Sequence, residues 1–306
     1  MANVTAAMVK DLRDKTGAGM MDCKAALNET AGDMEAAVDW LRKKGLSKAA
    51  KKAGRVAAEG LIGVAVRDDA GALVEVNSET DFVARNDQFK DFVKTAANLA
   101  LEEAGDLDRL LAKPVGEATV QATLTELIAK IGENMSVRRT AALAVSPGVV
   151  ASYVHNPASP ELGKIGVLVA LKSTADKAKL QALGKQLAMH IAAAAPLALT
   201  AEHLPKEVVE RERAIQADIA RQSGKPENVI EKMMEGRMRK FYEESVLLSQ
   251  VFVIDGETPV SKVLEKASKD FGAPVAIDGF IRFQVGEGIE KVESDFADEV
   301  SKMAGA

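Results

Sequence analysis

The feature that most constrains this chain is a pattern of two strands followed by a helix, which occurs twice. In the first copy every second residue of two short segments is apolar, with a polar turn at 68–71: Ile62, Val64, Val66, Val74 and Val76. The second copy alternates in the same way: Val150, Ser152, Val154, Ile165, Val167, Val169 and Leu171. Each strand pair precedes a segment with apolar residues at helical spacing: Phe89, Phe92, Val93, Ala96 and Ala100, then Leu180, Leu183, Leu187, Ile191 and Ala194. Because residues two apart point to one face of a strand, the pattern predicts antiparallel sheets with one face covered by helices. The predicted fold class is α+β with a duplicated core.

Further elements flank the two copies. Apolar periodicity and glycine stops predict three short N-terminal helices at 5–15, 20–27 and 33–43, the first ended by Gly17 and the last by Gly45. A helix at 119–132 and a strand at 137–145 are predicted between the copies. The elements predicted after the second copy are helices at 205–222, 226–242, 258–271 and 294–303 and a strand at 275–285.

These elements divide the chain into five parts. They are a helical module with a basic linker (1–55), the first core subdomain (56–145), the second core subdomain (146–200 and 243–275), an inserted helical hairpin (201–242) and a C-terminal strand and helical module (276–306). The hairpin has a narrow apolar stripe at Val208, Ile215 and Ile219. Such a stripe either folds back on the core or mediates self-association, which leaves a homodimer as one alternative.

Composition excludes several classes of protein. The 40 Lys and Arg against 45 Asp and Glu give a net charge of −5, which argues against nucleic-acid binding by the whole surface. The single cysteine, Cys23, excludes an intramolecular disulfide and a cysteine-based zinc cluster. The N-terminus lacks the apolar region of a signal peptide, and the longest apolar stretch, 191–199, is broken by Pro196, so we expect a cytoplasmic protein without a membrane span.

No constellation for catalysis is found in the sequence. The three histidines have no partners at metal-ligand spacing, and the segment at 223–225 lacks the upstream glycine of a phosphate loop. We therefore expect no catalytic residues, no cofactor, no metal site and no direct nucleotide binding.

The segment 42–55, RKKGLSKAAKKAGR, has seven basic residues and no acidic one. It is either a contact for RNA or an acidic protein face, or a solvated helical linker with Ser47 as its N-cap. It has no interleaved aromatic residues, which counts against recognition of single-stranded nucleic acid.

The segment 75–85, EVNSETDFVAR, places Asp81 beside Phe82 in a polar stretch after a strand. In a local interpretation Thr80 or Asp81 caps a helix, and Phe82 is a hydrophobic staple that folds back on the core. In a functional interpretation Phe82 protrudes as a wedge that inserts into a partner, with Asp81 making a polar contact beside it.

Two segments together resemble translation elongation factor Ts. They are 12–27, LRDKTGAGMMDCKAAL, and 75–85 with its TDFV core; shorter matches lie at 130–134, 165–169, 235–238, 280–283 and 286–291. The resemblance spans essentially the whole chain. It implies a ubiquitin-associated-like three-helix N-terminal module, a duplicated α+β core, an inserted helical hairpin and a C-terminal helical module, in agreement with the division above.

The resemblance also implies a function, that of a guanine-nucleotide exchange factor for elongation factor Tu. The family's TDFV segment, which helps dislodge Mg²⁺ from the partner, maps onto Thr80, Asp81, Phe82 and Val83. The other implied contacts with the partner are Met20, Met21, Lys24, Ile131, His155, Val253 and Ile254. For His155 the alternative is a surface histidine at a strand end, within a loop at 155–164 that is longer than the family's. For Val253 and Ile254 the alternative is ordinary core packing. An RNA- or ribosome-binding protein acting through 42–55 is the competing function, and it leaves Phe82 without a role.

Overall fold

The computed structural model describes residues 4–16, 18–222 and 226–290. The helix predicted at 294–303 lies outside the described residues, as does most of the turn between the two hairpin helices. The observed fold is α+β, as predicted, with an antiparallel sheet and helices before, between and after its strands.

The N-terminal module contains the three predicted helices, α1 (Ala6–Thr16), α2 (Met20–Glu29) and α3 (Met34–Ala50). Leu12, Cys23 and Leu27 are fully buried where the helices meet. Between α2 and α3 the Gly32 N–H donates to the Leu27 carbonyl at 2.8 Å, and Gly32 has a φ of 86°, a conformation that ends a helix and that glycine adopts without strain.

The prediction that α3 ends at Gly45 was wrong, because the helix continues to Ala50. Gly45 faces α6 (Val120–Ile131), and a Cβ at Gly45 would lie 3.2 Å from the Ala129 Cβ. The missing side chain therefore allows the two helices to approach closely. Ser47 lies inside α3, so it is not an N-cap.

The basic segment 42–55 forms the end of α3 and the turn after it. Lys52 Nζ donates to the Gly132 carbonyl, and the Arg55 carbonyl accepts a hydrogen bond from Asn134 Nδ2 at 2.7 Å. Arg55 also pairs with Glu79 at 3.5 Å. This segment thus fastens the N-terminal module to the core.

The duplicated core is present as predicted. Its first copy consists of the strands β1 (Glu59–Arg67) and β2 (Ala70–Ser78) and helix α4 (Asp87–Glu102), and its second copy of β6 (Gly148–Ser159), β7 (Leu162–Lys172) and α7 (Lys177–Ala194). The elements between the copies are α5 (Leu107–Ala112), the two-residue strands β3 (Pro114–Val115) and β4 (Ala118–Thr119), α6, and β5 (Met135–Ala144). The six-stranded antiparallel sheet has the order β5-β2-β1-β7-β6, and β8 (Ala276–Gln284) also pairs with β7.

The two copies bury the sheet on both sides. Helices α4 and α6 cover the first copy, and α7 and α10 (Val260–Phe271) cover the second. A third cluster lies between the copies and includes Ile62, Leu73, Val150 and Leu168. All nine residues of β2 are buried for this reason, so the prediction of a single covered face describes only one side of the sheet.

The segment 155–164 is a continuation of two strands instead of a long loop. Strand β6 extends through Ser159 and β7 begins at Leu162, so only two residues connect them. A shift of register between Pro157 and Ser159 accommodates the additional residues.

The helical hairpin consists of α8 (Lys206–Arg221) and α9 (Glu227–Ser245). Arg237 Nη1 donates to Gln216 Oε1 at 2.8 Å across the two helices. At the base of the hairpin, Val209, Phe241 and Tyr242 pack on a small cluster that contains Leu204 and Val246. No helix in the described part of the chain has the length and apolar character needed to cross a membrane.

Candidate partner-binding surface

The segment 80–83, here called the wedge segment, follows β2 and precedes α4. Phe82 is 74% exposed, whereas the next two side chains, Val83 and Ala84, are buried in the first core cluster. The local interpretation of Phe82 as a hydrophobic staple was therefore wrong. The helix is capped instead by Asn86, whose Oδ1 accepts hydrogen bonds from the N–H groups of Gln88 at 2.9 Å and Phe89 at 3.3 Å.

Glu133 holds the start of the wedge segment. Its carboxylate accepts two hydrogen bonds from Thr80, one from the backbone N–H at 3.0 Å and one from Oγ1 at 2.8 Å. Ser78 Oγ donates to the Thr80 carbonyl at 2.9 Å. Glu133 follows Gly132, which ends α6 with a φ of 91°. The short motif at 130–134 therefore ends a helix and supplies the support for Thr80.

Asp81 and Phe82 share one neighbour, Arg85. Its Nη2 lies 3.0 Å from Asp81 Oδ2, and its guanidinium carbon is 5.9 Å from the centre of the Phe82 ring. Phe82 and Arg85 are largely exposed, and Asp81 is half-exposed. An ion pair this accessible to solvent contributes little to stability.

A second group of exposed residues lies on α2. Met20 is 55% exposed, Met21 is 78% exposed, and Lys24 is exposed one turn after Met20. Residues four apart on a helix are neighbours, so Met20 and Lys24 lie side by side. The opposite face of α2 is buried in the N-terminal module.

A third group lies in the segment 251–254, here called the contact loop. Val251, Val253 and Ile254 are 51%, 45% and 47% exposed, whereas Phe252 is buried. Core packing of Val253 and Ile254, the alternative raised by their sequence, was therefore wrong. The far end of the loop is fixed by Asp255 Oδ1, which accepts hydrogen bonds from the N–H groups of Glu257 and Thr258, both at 3.0 Å. These bonds hold the pKa of Asp255 below its usual value.

The near end of the contact loop is fixed by two buried polar residues. His190 on α7 is fully buried, and its Nδ1 lies 3.3 Å from the Val253 nitrogen. Its Nε2 lies 2.9 Å from Gln250 Oε1. Because a backbone N–H can only donate, Nδ1 accepts and Nε2 carries the proton. Burial lowers the pKa of His190, which keeps the ring neutral.

Ile131 and His155 have different surroundings. Ile131 is half-buried against the first core cluster and adjoins the support for Thr80 through Gly132 and Glu133. His155 is exposed on β6, with Nδ1 at 3.2 Å from the Tyr153 hydroxyl. Ile131 thus lies close to the wedge segment. The exposed residues of α2 are held by the N-terminal module, and the contact loop is held by His190 and Gln250.

The sequence reasoning did not identify the residues that support these groups. Glu133 lay within the matching motif at 130–134 but had no assigned role. Arg85 was the last residue of the segment 75–85 and had no assigned role either. His190 and Gln250 gave no local signal, because they are 60 residues apart in the chain. Among the residues described, no group of three or more His, Cys, Asp or Glu side chains is placed to hold a metal ion.

The α+β fold thus carries three groups of exposed apolar side chains, an arrangement typical of a protein-binding surface. The family model "Elongation factor TS" matches residues 79–287. The chain is 63% identical over 304 residues to an elongation factor Ts of Rhodospirillum rubrum, with 98% of each chain covered. It is 61% identical over 307 residues to that of Rhodospirillum centenum, with 100% of each chain covered, and 60% identical over 304 residues to that of Bartonella henselae, with 99% covered.

The chain therefore belongs to the elongation factor Ts family, a family of translation elongation factors.

Proposed function

We propose that this protein is the guanine-nucleotide exchange factor of elongation factor Tu. It binds the GDP form of its partner, helps dislodge Mg²⁺ and promotes release of GDP, so that GTP can bind. The observation that carries this proposal is the 74% exposure of Phe82 on a segment whose two ends are held by the core. A large aromatic side chain in that setting is typical of an interface anchor.

The support of the wedge segment favours binding by a preformed surface. Thr80 is held by Glu133 at one end, and Val83 is buried at the other. Only the side chains of Asp81 and Phe82 lie free of the core between them. Because the backbone is already ordered, little conformational entropy is lost when Phe82 enters a partner.

Thermodynamic linkage explains how such a contact releases a nucleotide. Mg²⁺ bridges the nucleotide phosphates to the G domain of the partner, so displacing the elements that hold the ion weakens GDP binding. If the factor binds the nucleotide-free partner best, GDP and factor weaken each other's binding by the same factor. The factor itself does no chemistry on the nucleotide and needs no cofactor, and the exchange takes place in the cytoplasm.

The other exposed groups extend the contact. We assign Met20, Met21 and Lys24 to the G domain of the partner, together with the wedge segment. Ile131 adds to this contact beside Glu133. His155, Val253 and Ile254 face the third domain of the partner. Their exposure, apart from half-buried Ile131, supports these assignments.

The test is the release rate of a fluorescent GDP from purified elongation factor Tu with Mg²⁺ present. Four samples are compared: no addition, the wild-type protein, the Asp81→Ala/Phe82→Ala variant and a Val66→Ala control. Val66 is 47% exposed on β1, outside the three groups, so it controls for loss of an exposed apolar side chain. We expect strong acceleration by wild type and control, and a loss of about tenfold or more in the double variant, since anchor residues typically contribute about 2 kcal/mol.

The other outcomes separate the parts of the proposal. Equal acceleration by wild type and double variant would preserve exchange and exclude the wedge. No acceleration by any protein would exclude exchange and favour RNA binding through 42–55. That function predicts an affinity for RNA that falls steeply with salt concentration.

A further inference from the structure

The contact loop has an internal support that the exchange function does not by itself explain. His190 belongs to α7 and is fully buried where this helix meets the contact loop. Its two ring nitrogens have separate partners. Nδ1 accepts a hydrogen bond from the Val253 N–H at 3.3 Å, and Nε2–H donates to Gln250 Oε1 at 2.9 Å. The imidazole thereby connects the residue before the loop with a residue inside it.

Gln250 extends this network to two helix ends. Its Nε2 donates to the Glu244 carbonyl near the end of α9 at 2.6 Å and to the Ala194 carbonyl at the end of α7 at 3.3 Å. Its own carbonyl accepts a hydrogen bond from the Val260 N–H at the start of α10 at 2.9 Å. Gln250 is therefore fixed by three helices before the contact loop begins.

One residue of the contact loop is buried against this support, and the other three are exposed. Phe252 points inward, with its ring centre 5.8 Å from that of His190, and its N–H donates to the Thr258 carbonyl at 2.8 Å. Val251 and Ile254 point outward on either side of it, together with Val253. The backbone N–H of Val253 is held by His190 while the Val253 side chain is half exposed.

We propose that His190 is a positioning residue that holds the contact loop in the conformation that binds the partner. This inference rests on the proposed function, because it assigns Val253 and Ile254 to the interface. The chemistry favours it over simple filling of the core. A buried imidazole costs free energy unless both nitrogens are hydrogen-bonded, whereas an apolar side chain would fill the same space without that cost.

A matched pair of substitutions separates the two hydrogen bonds of the ring. In His190→Asn the side-chain oxygen can take the place of Nδ1 and accept from Val253, while the contact with Gln250 is lost. In His190→Gln the amide reaches the place of Nε2 and Gln250, while Val253 loses its acceptor. Both replacements are polar and neither has a ring, so both lose packing contacts of the imidazole.

We expect His190→Gln to weaken binding to nucleotide-free elongation factor Tu about fivefold more than His190→Asn, the effect of one ordinary hydrogen bond. In the Val253→Ala/Ile254→Ala background the two substitutions should have equal effects, because the side chains that the loop presents are then gone. Hydrogen exchange of the Val253 amide should be faster in His190→Gln than in His190→Asn. The melting temperature of each variant shows whether it is folded at the temperature of the binding assay.

Two results would overturn the inference. One is equal binding by the two single variants, which would leave His190 with a role in packing only. The other is an equal Val253 exchange rate in both, which would show that His190 does not hold the loop. GDP release by the wild-type protein, measured in the same series, tests the proposed function separately. The amide exchange of Val253 is measured on the free protein, so it tests the role of His190 even if the exchange function fails.

Discussion

At the scale of single residues, the exposed Phe82 depends on other side chains that hold its segment on the core. Phe82 is the proposed anchor, and Glu133 and Val83 hold the chain on either side of it. Sequence reasoning singled out Phe82 as an aromatic residue in a polar segment, and the family resemblance assigned it to the wedge. It did not find Glu133, because a glutamate after a helix end has the same local appearance whether or not it meets a strand end 53 residues away.

Removing the support without touching the wedge segment tests this view. Glu133→Ala deletes both acceptors of Thr80, and hydrogen bonds to a charged group contribute about 1.5–3 kcal/mol each. We expect exchange on elongation factor Tu to fall roughly tenfold, because the wedge segment then has more conformations. The measurement is the rate of GDP release at a factor concentration below saturation.

The control for Glu133→Ala is Glu126→Ala. Glu126 is an exposed glutamate on α6, the helix that precedes Glu133. It should retain wild-type exchange. Wild-type exchange by Glu133→Ala as well would show that the wedge segment does not need this support.

At the scale of helices and strands, local signals predicted most of the structure. Helix α6 begins after Thr119, whose Oγ1 accepts from the Ala122 N–H at 3.1 Å, and ends at Gly132 in the left-handed region. Both signals lie within the helix or next to it, so the prediction of 119–132 was confirmed. Gly45 carries the same kind of stop signal, yet α3 continues, because packing on α6 outweighs the cost of a glycine in a helix, about 1 kcal/mol.

The helical hairpin carries a prediction at this scale. Ile215 and Ile219 are each 44% exposed, so this part of the stripe is not folded back on the core. If the protein self-associates through the hairpin, the Ile215→Lys/Ile219→Lys variant should be monomeric at a concentration where the wild-type protein is a dimer. The variant loses apolar area at the contact and places like charges against each other. Sedimentation velocity over a range of concentrations measures this, with exposed Val66→Lys as the control. A wild-type protein that stays monomeric throughout would exclude the homodimer.

At the scale of the whole molecule, a buried carboxylate joins strands β2 and β5 to the turn after β8. Glu75 on β2 is fully buried, and it accepts hydrogen bonds from Arg138 at 3.2 Å and Arg139 at 2.5 Å on β5. It also accepts the Gly286 N–H at 2.8 Å, from the turn after β8. Glu75 lies in one of the matching motifs and Gly286 in another, so this hydrogen bond connects the two motifs.

Breaking this network should destabilise the whole fold. Glu75→Ala leaves two arginines without their buried partner, and loss of one member of a buried ion pair costs about 3–5 kcal/mol. Urea unfolding measures the change in the free energy of unfolding. Asp68→Ala, which breaks the exposed Lys177–Asp68 pair at 3.0 Å, should change it by no more than about 1 kcal/mol. A loss below about 1 kcal/mol in Glu75→Ala would show that the network is not important for stability.

The sequence by itself determined the α+β class, the duplicated core and most helix and strand positions. These depend on periodicity, caps and turns, which act over a few residues and are therefore visible in a linear pattern. Only the tertiary structure decided that the sheet is buried on both sides, that 155–164 is a hairpin, and that Val253 and Ile254 lie outside. It also decided which residues support them, Glu133, His190 and Gln250. Their partners lie tens of residues away in the chain, and a hydrogen bond depends on a distance that exists only after the chain has folded.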